Sequence, residues 1–259
     1  MTMHDATSKE TARLALSLLD LTDLTDTCDA AAIEKLCTQA QTPFGNAAAI
    51  CIWPRFVAQA RAILGAGSPV KIATVVNFPS GELPVGDVVA ETKQAIADGA
   101  DEIDLVIPYR GLIGGDEAAV TAMVSAVKAA CPSPVILKTI IETGELKDAG
   151  LIRNASHLAI SAGSDFIKTS TGKVAVNATL PAADIMLNAI RESGRPVGFK
   201  PAGGVRTVGD AAQYLNLAAA IHGDGWAKPS TFRFGASGLL NDILAVLGGQ
   251  SAPAAPASY

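Results

Sequence analysis

Short apolar runs rich in β-branched residues alternate along the chain with longer stretches whose apolar positions recur at helical spacing. Eight runs predict strands: LLDLT (18–22), AAICIW (48–53), KIATVVNF (71–78), EIDLVIP (102–108), VILKTIIE (135–142), DFIKTST (165–171), VGFKPAG (197–203) and FRFGAS (232–237). Helical period occupies 29–41, 54–65, 85–99, 116–130, 146–162, 181–193, 207–221 and 238–248. Every strand is thus followed by a helix, the pattern of parallel strands joined by crossovers.

Eight such units close a parallel sheet on itself and leave no open edge, whereas a doubly wound sheet usually has fewer strands and a nucleotide-binding turn. The pattern predicts an α/β protein with a single TIM (β/α)8 barrel over 1–248, LLDLT being its weakest strand. A length of 259 residues fits, since such barrels run to ~250. Residues 249–259, rich in Gly, Ala, Pro and Ser, predict a flexible tail. Beyond the alternation there is no fixed-period repeat, and no linker splits the chain.

Composition narrows the class. The chain is 49% hydrophobic but only 5% aromatic, so Ala, Val, Ile and Leu fill the core, as they do where helices pack on parallel strands. A net charge of −5 gives no field to collect a polyanion, so nucleic acid and anionic membrane are poor partners and any bound phosphate must be captured locally. The start, MTMHDATSKET, has no apolar signal-peptide region, and no stretch approaches ~20 uninterrupted apolar residues; a cytoplasmic protein is expected. Cys28, Cys37, Cys51 and Cys131 are scattered without a CxxC, which predicts reduced, buried thiols. His4, His157 and His222 form no ligand-spaced group, so no catalytic metal is expected.

Against this background the charged residues inside the strands stand out. A barrel strand is covered on both faces, so a charge within it should be paired or functional. Lys138 lies in VILKTIIE, Lys168 in DFIKTST, Lys200 in VGFKPAG, Asp104 in EIDLVIP and Asp20 at the end of LLDLT. Apolar surroundings and neighbouring ammonium groups both favour a neutral amine. Holding one lysine neutral at pH 7, against a free value of ~10.4, takes roughly 4 to 5 kcal/mol. A neutral amine is a nucleophile toward aldehydes and ketones, and the protonated imine it forms withdraws electrons from the adjacent carbon. With one lysine neutral, two ammonium groups balance Asp20 and Asp104. The competing reading makes the lysines structural partners of Asp20, Asp104 or Glu142, or lets them reach solvent at the barrel mouth.

Three glycine-bearing turns follow the last strands: STGK (170–173), PAGGVR (201–206) and RFGASG (233–238). Glycine lets backbone N–H groups approach an anion, and a following helix N-terminus adds its dipole, as in barrel phosphate sites after strands seven and eight. Lys173 and Arg206 add charge. GAGSPV (65–70) partly echoes a dinucleotide fingerprint but follows a helix and precedes a strand, so it argues for no nicotinamide cofactor.

Across nearly its whole length the sequence resembles the bacterial deoxyribose-phosphate aldolases, through TPFGNAAAICIWPRF (42–56), ADEIDLVIPYR (100–110), LKTIIETGEL (137–146), SDFIKTSTGKVAVNAT (164–179), GFKPAGGVRT (198–207) and FRFGAS (232–237). The resemblance implies cofactor-free, reversible cleavage of 2-deoxyribose 5-phosphate to acetaldehyde and glyceraldehyde 3-phosphate. It implies Lys168 as Schiff-base nucleophile, Lys200 as the charged neighbour that activates it, and Asp104 as proton relay through an ordered water. Lys138, Asp20, Thr22 and Thr171 would line the sugar pocket with Cys51 near it. Gly172, Lys173, Gly203, Gly204, Arg206, Gly235, Ser237 and Gly238 would surround the phosphate. A terminal tyrosine, here Tyr259, would assist proton transfer, and a homodimer is the expected assembly.

This chain departs from the family pattern where FGAS is usually followed by a second serine; Gly238 stands there, removing a phosphate-facing hydroxyl. Trp53 replaces a commoner tyrosine, read as a packing change. The tail leader SAPAAPAS is also unlike the family's. Two other readings stand beside the aldolase: a transaldolase-type Schiff-base enzyme with a different donor, and a non-catalytic sugar-phosphate sensor. The flanking motifs argue against the first, and the presence of Lys168, Lys200 and Asp104 against the second.

Overall fold

The computed structural model describes residues 3–249, with side chains from residue 7 onward. Eight parallel strands form one sheet: β1 (Leu19–Asp23), β2 (Ala49–Ile52), β3 (Lys71–Val76), β4 (Glu102–Val106), β5 (Ile136–Ile140), β6 (Phe166–Lys168), β7 (Gly198–Lys200) and β8 (Phe234–Ala236). Their order is β8, β1, β2, β3, β4, β5, β6, β7. The ring is completed between β7 and β8 by parallel bridges from Phe199 to Phe232 and from Ala202 to Gly235. There Phe199 donates its N–H to the Thr231 carbonyl at 2.9 Å, and Arg233 donates to the Phe199 carbonyl at 3.0 Å. The predicted barrel is present.

The strands are followed in turn by α2 (Ala30–Gln39), α3 (Val57–Leu64), α4 (Val85–Ala97), α5 (Glu117–Ala130), α6 (Ala149–Ser161), α7 (Leu180–Ser193), α8 (Val208–His222) and α9 (Leu239–Gly248). Side-chain caps explain why several of these start where they do. Asp29, Asp116, Asp148, Thr179 and Thr207 each accept a first-turn N–H of the helix they precede, a bond typically worth about 1 kcal/mol. Among the described residues no helix is long and apolar enough to cross a membrane. All four cysteines are unpaired and buried.

Among the features that differ from the pattern along the chain, three bear on the barrel. A helix, α1 (Met3–Ser17), precedes β1 and packs on α8 and α9. Its described buried residues Ala12, Ala15 and Leu16 make a stripe of mostly small side chains, too slight to mark a helix without the partners that cover it. The strands β6, β7 and β8 are three residues each, shorter than their apolar runs, because the chain turns into the loops of the barrel mouth directly after Lys168 and Lys200. The predicted helix over 146–162 is α6 preceded by a separate turn of helix, Thr143–Leu146, the two broken at Lys147 by a positive φ of 59°.

The main apolar core lies between strands and helices. Inside the barrel a smaller cluster of Leu24, Cys51, Ala73 and Val75 fills one side. Charged side chains occupy the other.

Candidate active site

Strand register assembles the charges. Asp104 on β4 is level with Lys138 on β5, and Lys168 on β6 is level with Lys200 on β7. Asp104 accepts from all three lysines: Lys138 at 3.0 Å on Oδ1, and Lys168 at 2.7 Å and Lys200 at 2.8 Å on Oδ2. Lys200 also donates to Asp20 Oδ2 at 2.5 Å. Below them Lys138 Nζ lies 2.5 Å from Glu102 Oε2, and Arg233 bridges Asp20 Oδ1 at 2.7 Å and Glu102 Oε1 at 2.8 Å. None of these side chains is more than 4% exposed.

Ions removed from water survive only where partners replace hydration. Burial works against the Asp104 carboxylate, but Lys138, Lys168 and Lys200 outweigh it and hold its pKa well below the ordinary value. Asp20 is lowered likewise against burial, by Lys200 and Arg233. For Lys200 burial favours the neutral amine, yet Asp104 and Asp20 together raise its pKa. Lys138 is raised in the same way by Asp104 and Glu102. Lys200 and Lys138 are therefore fixed ammonium ions.

The charge count made from Asp20 and Asp104 alone was incomplete. Glu102 and Arg233 belong to the same cluster, and neither was singled out from the sequence. Both lie within predicted strands, Glu102 opening EIDLVIP and Arg233 between two phenylalanines in FRFGAS, so the local rule that marked the lysines applied to them as well. Their burial depends on their finding each other across 131 positions, which no local pattern records. Because they add one charge of each sign, the interior still balances when one lysine is neutral.

Above this cluster opens a cavity of about 560 Å³, within the ~300–1,000 Å³ usual for small-molecule sites. Of the three interior lysines, only Lys168 lines it. Thr22 and Thr171 share its wall, and Gly172, Lys173, Gly203, Gly204 and Arg206 form one rim. Gly235, Ser237 and Gly238 continue it, Gly235 accepting the Gly203 N–H at 3.2 Å, to where α9 begins with no side-chain cap on its first N–H groups. Asp20, Cys51, Asp104, Lys138 and Lys200 lie outside the lining, fully buried. Gly203 has φ 78°, and a Cβ there would come within 2.7 Å of Asn177. Gly235 leaves room for the Lys200 stem, whose Cε would be 3.1 Å from any Cβ placed there. Lys173 leans away, 3.4 Å from Asp26 and over the Trp53 ring at 5.6 Å. Trp53 donates its indole N–H to the Thr25 carbonyl, so its role extends beyond packing.

A family model described as DeoC/LacD family aldolase matches residues 14–245. The chain belongs to this family. As an aldolase it is 65% identical over 256 residues to the deoxyribose-phosphate aldolase of Agrobacterium fabrum, covering 98% of this chain and 99% of that protein. A crystal structure of a candidate deoxyribose-phosphate aldolase from Toxoplasma gondii superposes with a TM-score of 0.88 at 25% identity, over 97% of this chain and 99% of that one. The tetrameric deoxyribose phosphate aldolase of Aeropyrum pernix shares the fold, with a TM-score of 0.75 at 20% identity over 95% of this chain and 98% of that one.

In this aldolase Cys51 Sγ lies 4.0 Å from Asp104 Oδ2, and burial pushes its thiol pKa up. It is thus held as a thiol. Among the described residues, no group of three or more His, Cys, Asp or Glu is placed to hold a metal ion. Tyr259 and the tail from residue 250 lie outside the described residues.

Proposed function

We propose that this aldolase reversibly cleaves 2-deoxy-D-ribose 5-phosphate to acetaldehyde and D-glyceraldehyde 3-phosphate through a Schiff base on Lys168. One observation carries the reading: Lys168 is the interior lysine that reaches the cavity, while Lys138 and Lys200 stay beneath it. The high identity to the Agrobacterium fabrum enzyme supports the substrate.

As a free amine, Lys168 adds to C1 of the open-chain sugar, and with one proton taken up water leaves, giving the iminium ion; the final hydrolysis returns that proton. Asp104, through a water, takes the C3 hydroxyl proton; the C2–C3 bond breaks, its electrons pass into the iminium as an enamine, and glyceraldehyde 3-phosphate departs. Protonation at C2, for which Tyr259 is the proposed donor, and hydrolysis then release acetaldehyde and the amine. Lys200 shares the Asp104 carboxylate with Lys168, donating to the same Oδ2 at 2.8 Å, and so stands beside the reacting amine. Thr22 and Thr171 offer hydroxyls to the sugar. The phosphate is proposed to sit against the N–H groups of Gly172, Gly204, Ser237 and Gly238, with Lys173 and Arg206 beside it; Gly203 and Gly235, whose N–H groups bond to the Gly235 and Pro201 carbonyls, give it room rather than donors. Asp20 and Lys138 act from below, keeping Lys200 and Asp104 in place. No cofactor takes part in these steps. A homodimer in the cytoplasm is proposed, with sedimentation to test the assembly.

Incubation with acetaldehyde and borohydride, followed by digestion, is expected to place a two-carbon label on the peptide FIKTSTGK. A label elsewhere, or none while sugar cleavage continues, overturns the mechanism. A coupled assay for glyceraldehyde 3-phosphate is expected to give equal rates with and without chelator.

A further inference from the structure

Outside the interior charge cluster, one buried carboxyl remains among the described residues. Glu142 stands two residues beyond the end of β5 and is 0% exposed. Its backbone takes a left-handed conformation, φ 56° and ψ 61°, which non-glycine residues adopt rarely. The side chain crosses to the loop after β6, where its two oxygens accept the Thr171 N–H at 3.2 and 3.3 Å. The Thr171 hydroxyl accepts in turn from the Lys173 N–H at 3.0 Å. Thr171, Gly172 and Lys173 all line the cavity, so a single carboxyl anchors the part of the rim that the loop after β6 contributes.

The turn that follows reinforces the contact. Thr143 donates its N–H to the Thr169 carbonyl at 2.9 Å, and a Cβ at Gly144 would collide with the Val176 carbonyl oxygen. The two loops are therefore packed backbone on backbone, and Glu142 sits where they join.

We propose that Glu142 is a positioning residue that sets the Thr171–Lys173 rim relative to Lys168 and so determines affinity for the phosphorylated end of the substrate; this rests on the phosphate site assigned above. Burial pushes the Glu142 carboxyl pKa up, against the pull of the Thr171 hydrogen bonds and Lys168.

The test compares the full chain with Glu142→Gln, which keeps an acceptor, and Glu142→Met, which keeps the volume without one. For Glu142→Met, KM for deoxyribose 5-phosphate is expected to rise about tenfold with kcat within about threefold, the pattern of lost ground-state binding. Cleavage of unphosphorylated deoxyribose should change less than about twofold, and Glu142→Gln should restore KM to within about threefold of wild type. Equal losses on the two sugars overturn the proposal. Affinity for inorganic phosphate, measured by calorimetry, gives the same comparison without any reaction. A wild-type enzyme that binds phosphate but never traps acetaldehyde on Lys168 therefore sinks the Schiff base and leaves this inference to be judged by binding. If Glu142→Met does not fold, amide exchange in the wild type decides: a protected Thr171 N–H supports the anchor, and exchange at the rate of an open loop overturns it.

Discussion

Replacing Arg233 by methionine removes the guanidinium that bridges Asp20 and Glu102 while keeping much of its apolar volume. In the intact cluster Lys138, Lys168, Lys200 and Arg233 face Asp20, Glu102 and Asp104. With Lys168 as a free amine, three positive charges meet three negative ones. Without Arg233 only Lys138 and Lys200 remain against three carboxylates, and the buried cluster is left one charge negative unless it takes up a proton. Stranding a buried charge costs about 3 to 5 kcal/mol, a large part of the 5 to 15 kcal/mol typical of a whole domain. Two results are expected for Arg233→Met: a loss of that order in urea unfolding at pH 7, and an acid limb of acetaldehyde trapping displaced to higher pH. Glu102→Gln removes a negative charge instead and should displace that limb to lower pH. The double variant should recover most of the stability, because exchanging a whole buried pair for neutral groups is often nearly neutral, and its trapping profile should return toward wild type. Arg233→Met with less than about 1 kcal/mol lost and an unmoved pH profile would refute the charge-balance reasoning.

Other outcomes follow from the same geometry. Lys200→Met takes a fixed cation from Asp104 and is expected to slow trapping and sugar cleavage at pH 7 by about two orders of magnitude, with unchanged circular dichroism; a rate near wild type would remove Lys200 from the mechanism. Gly238→Ser has open space around its new Cβ and should raise the preference for phosphorylated over free deoxyribose by roughly three- to tenfold; an unchanged ratio of kcat/KM values counts against a missing phosphate contact. Stability should respond to pH with two signs. Asp20 and Asp104 have lowered folded pKa values, so their contribution is complete above the unfolded value of 3.8 and disappears as pH falls below it toward their folded values. Glu142 has a raised folded value, so the unfolded chain releases this proton first, near 4.5, and stability declines as pH rises from there to the folded value. The melting temperature of Glu142→Gln minus that of wild type should accordingly grow with pH above 4.5, and a difference that shrinks reverses the assignment.

Much of the architecture was legible along the chain. Each strand and helix carries its own period, and Asp or Thr caps mark helix starts. The lysines drew notice for an equally local reason, a charge within an apolar run. The helix α1 escaped, because Ala12, Ala15 and Leu16 make an apolar face only when α8 and α9 cover it. The lengths of β6 to β8 escaped as well, since an apolar run continues past the point where the backbone leaves the ladder.

By itself the sequence determined eight strand–helix units, charges within strands that are closed to water, and glycine turns after the last three strands. Tertiary structure decided that Glu102 meets Arg233, that Glu142 anchors Thr171, and that Lys168 alone of the three interior lysines lines the cavity. The division has a physical cause. Periodicity and backbone freedom belong to neighbours along the chain, whereas a buried charge acquires its partners only when barrel closure sets the register of strands far apart in sequence.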